Sequence, residues 1–380
     1  MTTQEIPYIP GLAGIPACKS SVSDIDGQKG ILKYRGYAIQ ELAEKSTFEE
    51  SAYLIINGEL PTKQQLEKFD GDLKRNRAVD PAILNLVKMY PKSGHPMSAL
   101  QTSVAAMGML YPRKIDDDAT NDAAGIRLIA QTATLVAAFD RARNGKEIVP
   151  PRTDLNHAAN FLYMLTGEPP SQVAAKVFDV CLILHIEHSQ NASTFTAMVT
   201  GSSLADPYST MASAIGTLSG PLHGGANERV LAMLNEIGSA DKARQHILDM
   251  LNRKELIWGM GHREYKTMDP RATILKTLVG RVFESMGPTS LLGIAEEVAK
   301  TMEAERGAKG IWPNVDFYSG IVYNKLGIPT DVFTPVFAIP RMAGWAAHWR
   351  EQIADNRIFR PSQIFVGPAD RSYVPIEKRG

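Results

Sequence analysis

The sequence predicts an almost all-α fold of two lobes, and four observations carry that reading. Apolar residues recur at helical spacing along most of the chain. The breaks GELPT, TGEPPS and LGIPTD each set glycine at a helix end and proline near the next start, which makes the connections short. Strand signal is confined to KGILKYRGY, behind a turn-favouring DIDG. With 380 residues the chain exceeds the roughly 250–300 residues at which one core stops growing, hence two lobes.

The helical period begins behind the hairpin signal, over 38–57, and resumes after GELPT over 62–77. It returns over 98–110 and 121–143, then over 152–166 until TGEPPS interrupts it. The stretch 171–188 is apolar almost throughout and reads as a buried helix. Helices follow over 207–218, 226–237 and 240–253. The next, 271–286, starts behind Asp269 as N-cap and Pro270 as first helical residue. Helices over 289–306, 315–326 (capped by Asn314) and 331–353 complete the series. Glycine-rich breaks at 220–225 and 259–261 mark lobe boundaries or hinges. Beyond about 355 the chain turns basic and proline-rich, an extended arm that needs a surface to dock on. No fixed-period repeat is present, which disfavours a solenoid.

Composition narrows the function classes. Hydrophobic residues make up 44% and charged residues 22%, and the formal net charge is zero, which argues against disorder, a nucleic-acid-binding tail and a polybasic membrane anchor. Cys18 and Cys181 lie far apart without metal spacing, as expected for a reducing, cytoplasmic compartment. The opening MTTQEIPYIPGLAG reads as neither signal nor transit peptide. The longest apolar candidate, VAAKVFDVCLILHIEH, carries Lys176, Asp179, His185, Glu187 and His188, too many polar groups to span a membrane.

Residue types with catalytic chemistry gather at helix ends and glycine-bounded breaks. In HIEHSQNASTFTAM, His185 and His188 fall three apart on a predicted helix face that ends in an Asn-Ala-Ser-Thr turn. With Glu187 they form a weak metal candidate lacking HExxH spacing and a third ligand, so a structural histidine is the plainer reading of His185 and no metal is expected. In PLHGGANERV, His223 precedes a helix whose positive end disfavours imidazolium. A neutral imidazole there donates a hydrogen bond to a carbonyl, and Gly224 and Gly225 leave room for that ligand; a turn histidine is the bland alternative. In IWGMGHREYKTMDPR, Gly259 and Gly261 are expected to expose backbone polar groups, with His262, Arg263 and Lys266 following and Arg271 in the first turn of a helix, suited to an anion. The alternative is a hinge with solvated charges. The spacing is neither a dinucleotide fingerprint nor a P-loop. In IWPNVDFYSG, Asp316 occupies a helix first turn, where the dipole favours an ionised carboxylate fit to act as a base. Arg341, amid apolar neighbours in FAIPRMAGWAAHW, needs an anionic partner if buried, and Arg360 lies in the terminal arm.

Taken together, EHSQNAST, GPLHGGAN, GMGHREYKTMDPR, PNVDFYSG, FAIPRMAGWAAHW and RPSQIFVG, in that order from 185 to 367, resemble the citrate synthase family, and DIDGQKGILKYRGY extends the likeness toward the N-terminus. The resemblance implies a helical homodimer, with larger assemblies left open. It also implies a large domain of 1–223 and 323–380, a small domain of 224–322, and an active site in the cleft between them. It places a catalytic trio on His223, His262 and Asp316, and oxaloacetate on His188, Arg271 and Arg341, with Arg360 supplied by the other subunit. Coenzyme A would lie on Ile257, Trp258, Gly259, Met260 and Gly261, with basic help from Arg263, Lys266 or Lys309. The implied reaction joins acetyl-CoA to oxaloacetate without a resident cofactor or metal; 2-methylcitrate synthesis from propionyl-CoA and a silent binding protein are the alternatives. The sequence departs from many relatives at Ser362 and Phe365, where a basic residue and a tyrosine are common, and at Pro340 and Glu264. It also lacks the added N-terminal region of longer bacterial enzymes, so inhibition by NADH is not carried over.

Overall fold

In the computed structural model the described residues are 8–111, 117–287, 289–368 and 370–380, without the side chains of 281–286. Residues 1–7 of the opening segment fall outside them. The strand signal forms a small antiparallel sheet in the order β1 (Ser23–Asp26), β2 (Ile31–Tyr34), β3 (Tyr37–Ala38), with Ile25 opposite Leu32 and Tyr34 opposite Tyr37. Every other regular element among the described residues is helical.

The first predicted helix is two, α1 (Ile39–Lys45) and α2 (Phe48–Asn57). Thr47 caps α2 by accepting the Glu50 amide, and that cap breaks the run that periodicity alone joined. Next come α3 (Lys63–Arg75), opened by a Thr62–Gln65 capping box, and α4 (Pro81–Met89), which the sequence reading missed. The nine residues of α4 are short, although Asp80 as cap and Pro81 behind it were its signal. Then follow α5 (Pro96–Met107), α6 (Asp118–Arg143), α7 (His157–Thr166) and α8 (Gln172–His185). A second missed helix, α9 (Ala192–Ser202), begins where a turn was expected, because Asn191 caps it on the Thr194 amide. The remainder are α10 (Pro207–Leu218), α11 (Ala226–Ile237), α12 (Ala240–Asn252), α13 (Pro270–Met286), α14 (Ser290–Arg306), α15 (Val315–Lys325) and α16 (Phe333–Ala354).

Helix α16 is the axis of the core. It is buried without interruption from Phe333 to Trp349, and α2, α6, α8, α9 and α10 pack around it. A helix apolar on all sides belongs inside a protein of this size, and none here is long and apolar enough to cross a membrane among the described residues. Pro340 removes one backbone donor inside α16, directly before Arg341. A second group joins α11 to α14 and α15, α12 to α14, and α13 to α15, while α13 also touches α1 and α8. The ends of these helices hold the polar side chains described next.

Candidate active site

His223 lies in the turn between α10 and α11, pinned by its amide on Gly220 O at 2.9 Å and by the Gly224 amide on Leu218 O at 3.1 Å. A Cβ at Gly224 would stand 2.3 Å from that Leu218 oxygen, so the chain's own packing, not ligand approach, demands the glycine. Only Gly225 keeps open space, its nearest neighbour being Pro221 Cα at 3.9 Å. The His223 Nε2 accepts the Ser193 amide at 3.2 Å and lies 2.8 Å from the Ser193 hydroxyl oxygen, which accepts from Trp345 Nε1 at 3.2 Å. An Nε2 that accepts leaves the proton on Nδ1, which is then a donor. Burial, aided by the Arg341 charge, pushes the imidazole pKa down to about 4. Desolvation therefore supplies the neutrality that the sequence assigned to the helix terminus.

His262 receives the opposite tautomer. Its Nδ1 accepts the Glu264 amide at 3.0 Å, which leaves Nε2–H free to donate. Burial and the Arg271 charge hold its pKa down at about 4. Its ring lies 4.9 Å from that of His188, whose Nε2 pairs with Tyr265 Oη at 3.1 Å. Burial, and then Arg271, keep His188 well below the usual imidazole range. His188 is not on one helix face with His185, because α8 ends at His185. His185 is a core residue, its Nδ1 on Cys181 O at 2.6 Å and its ring against Phe337, which agrees with its reading as a structural histidine.

Two buried guanidinium groups face this cluster. Asp269 caps α13 on the Arg271 amide and grips the guanidinium twice, from Nε at 3.1 Å and Nη2 at 2.8 Å. Its second oxygen also accepts the Val315 amide at 3.2 Å, tying the start of α13 to that of α15. Arg341 has a single protein hydrogen bond among the described residues, from Nε to His185 O at 3.0 Å, and lies 4.7 Å from the Phe337 ring centre. Burial lowers its pKa to about 10, yet it stays charged at neutral pH. A buried cation so thinly paired is a seat for an anion.

Asp316 lies in the first turn of α15, whose cap Asn314 accepts the Asp316 amide at 3.0 Å. Its carboxylate accepts no hydrogen bond from any described residue. The dipole argument favours ionisation, but burial outweighs it and raises the pKa to about 6, with Arg271 pulling the other way. The result is a more basic carboxylate that is still ionised near pH 7.

The loop from Ile257 to Gly261 is ordered by pairing, which corrects the expectation of free backbone groups. Gly259 O accepts the Asn314 amide at 2.9 Å, Gly261 N donates to Trp312 O at 2.7 Å, and Gly261 O accepts Asn314 Nδ2 at 2.9 Å. Both glycines have left-handed φ, 76° and 82°, and a Cβ at Gly259 would stand 2.7 Å from Val230 Cγ2. Ile257 and Met260 are buried, while Trp258 is half-buried with the Arg229 guanidinium 5.8 Å from its ring centre. Arg263, Lys266 and Lys309 are exposed, and Lys266 Nζ donates to Arg263 O. Arg360 is exposed on the terminal arm and makes no contact with the cluster in this single chain.

Sequence reasoning missed four neighbours. Ser193 and Tyr265 carried no signal, since each acts through a partner distant in sequence. Asp269 was visible only as a helix cap. Glu187, considered as a metal ligand, is buried beside His348 Nε2 at 3.0 Å and accepts from Ser23 Oγ at 3.2 Å.

Known proteins resemble this chain along almost its whole length. The model of the citrate synthase C-terminal domain matches residues 11–362. A curated citrate synthase of Synechocystis is 53% identical, over 100% of this chain and 96% of the relative, and one of Acidithiobacillus ferridurans is 49% identical over 98% of each. Among solved structures, citrate synthase of Pyrobaculum aerophilum superposes with a TM-score of 0.92 at 40% identity, covering 100% of this chain and 98% of that one. That of Thermoplasma acidophilum, a ternary complex with carboxymethyl coenzyme A and oxaloacetate, gives 0.92 at 31% identity, covering 97% and 98%. The family match over most of the chain and the full-length identity establish that this chain belongs to the citrate synthase family.

Proposed function

We propose that this cluster carries the reaction of its family, the condensation of acetyl-CoA with oxaloacetate and water to citrate and CoA, with the residues in the following roles. The observation that carries the assignment is the pairing of tautomers: His223 offers Nδ1–H and His262 offers Nε2–H, both neutral, beside a basic Asp316. Asp316 removes a methyl proton from acetyl-CoA while His223 donates to the thioester oxygen, stabilising the developing enolate. The enol carbon attacks the oxaloacetate ketone, polarised by His262. Arg271, Arg341 and His188 hold the substrate's carboxylates and oxygens, and the cations offset repulsion between two carboxylates and Asp316. Water then hydrolyses citryl-CoA, releasing citrate and CoA. Acetyl-CoA is a co-substrate in this scheme, with no resident cofactor.

The loop from Ile257 through Trp258, Gly259 and Met260 to Gly261 is assigned to the CoA adenine end, and Arg263, Lys266 and Lys309 to its phosphates; their solvent exposure supports this. Residues 1–223 with 323–380 form the large domain and 224–322 the small one. In support, His188 and Arg341 come from the former, His262, Arg271 and Asp316 from the latter, and His223 from the seam. The working form is a cytoplasmic homodimer in which Arg360 completes the partner's site. Its exposure, and the exposed Ile364, Phe365 and Val366 beside it, support an arm laid on another chain.

The direct test is CoA release with oxaloacetate and either acetyl-CoA or propionyl-CoA. Acetyl-CoA is expected to give the higher kcat/KM; a strong propionyl-CoA preference would reverse the substrate assignment. For Arg360, dimers mixed from Arg360→Ala and Asp316→Asn subunits are expected to regain part of the activity that each parent lacks. One of their two sites is then intact. Failure in demonstrably mixed dimers would remove Arg360 from the partner's site.

A further inference from the structure

The β1–β2 turn sits against the loop that carries His262. The Lys266 amide donates to Gly27 O at 2.9 Å. A Cβ built on Gly27 would stand 2.1 Å from Glu264 O, 2.7 Å from its carbonyl carbon and 3.3 Å from Tyr265 N. At the far end of the turn, Gly30 meets Thr267 Cγ2 at 2.9 Å and Met268 O at 3.0 Å on the same measure. Asp26 holds the turn between them, its Oδ1 accepting the amides of Gln28 at 3.1 Å and Lys29 at 3.0 Å. The turn therefore lies flush along residues 264–268, with no room for one extra carbon at Gly27.

The segment it presses on sets the chemistry of the site. Glu264 N–H occupies His262 Nδ1 at 3.0 Å with the Tyr265 amide also directed at it from 3.5 Å, and the Glu264–Tyr265 peptide, whose oxygen abuts Gly27, leads into Tyr265, which pairs with His188. We propose that Gly27 is a positioning residue for His262: by closing against the 264–265 peptide it holds the Glu264 amide on Nδ1, so that the proton stays on Nε2 and points at the ketone. The proposal rests on His262 being the ketone's hydrogen-bond donor. The contact also crosses the division between 1–223 and 224–322, so the template comes from one domain and the loop from the other.

The experiment compares Gly27→Ala, Asp26→Ala and Gln28→Ala in the full-length enzyme, with His262→Asn as reference. A displacement of about 1 Å at a reacting group costs on the order of 10²-fold in rate. Gly27→Ala is therefore expected to lose about 10²-fold in kcat, with the oxaloacetate dissociation constant, by calorimetry, changed only a few-fold. Gln28→Ala, whose side chain is exposed, should match the wild type. In ¹⁵N-histidine NMR spectra, the His262 signal, assigned by its loss in His262→Asn, should show an accepting Nδ1 in the wild type and a mixed tautomer in Gly27→Ala. An unchanged kcat in Gly27→Ala, or a fallen kcat with an unchanged tautomer, overturns the proposal. If Gly27→Ala does not fold, Asp26→Ala decides, since it loosens the turn without a clash: a folded variant with full kcat is equally fatal. Full activity in His262→Asn would instead sink the role of His262 itself.

Discussion

Asp316→Asn is expected to lower kcat by about 10²–10⁴-fold, the range in which a positioned general base contributes, while oxaloacetate binding by calorimetry changes little. The carboxylate receives no protein hydrogen bond among the described residues, so the amide removes basicity without breaking a structural contact. Its pKa of about 6 also sets the pH profile. In the free enzyme kcat/KM should fall tenfold per pH unit below about pH 6, as the base takes up a proton. His223 and His262, near 4, remain neutral through that limb and add nothing to it. The stability effect has the opposite sign. A folded pKa raised above the ordinary aspartate value means that ionised Asp316 costs folding free energy as pH rises through 6. The Asn variant should therefore unfold at higher denaturant than the wild type at pH 8, with the difference vanishing below about pH 4. A variant of nearly wild-type turnover would show that some other group takes the methyl proton.

Asp269→Ala is expected to cost about 3–5 kcal/mol of stability, the usual penalty for stripping a buried charge of its partner. Arg271 is fully buried, and Asp269 supplies both its hydrogen bonds and the cap of α13. The loss reaches further, because the same carboxylate accepts the Val315 amide one residue before Asp316, so base and anion seat should drift apart. Urea unfolding gives the magnitude. The double variant Asp269→Ala with Arg271→Met should recover most of the stability and none of the activity, since it removes the stranded charge together with the proposed oxaloacetate contact. A double variant no more stable than Asp269→Ala would show that the cap, not the ion pair, carries the energy.

The placement of helix starts shows where sequence reading is strong. Asp269 with Pro270, and Asn314 ahead of Asp316, were legible because capping is a bargain among residues two or three apart. The α8 end was misread for the complementary reason. Apolar period runs on through Ile186, and nothing local shows that the chain leaves the helix at His185 to bring His188 against Tyr265.

By itself, the sequence determined the helical class, the small hairpin and the caps that start α13 and α15, and it singled out the histidines, arginines and aspartate proposed for the site. These follow from periodicity, from local hydrogen bonding and from the order of motifs along one chain. Only the tertiary structure decided which nitrogen of each histidine carries the proton, since the Ser193 and Glu264 amides choose it. It alone decided that Asp316 is raised to about 6 against the pull of its helix dipole, because desolvation depends on what surrounds a group rather than on its neighbours in sequence. The same holds for Gly27. Its lack of a side chain matters only because the Glu264 carbonyl, more than two hundred residues away, occupies the space.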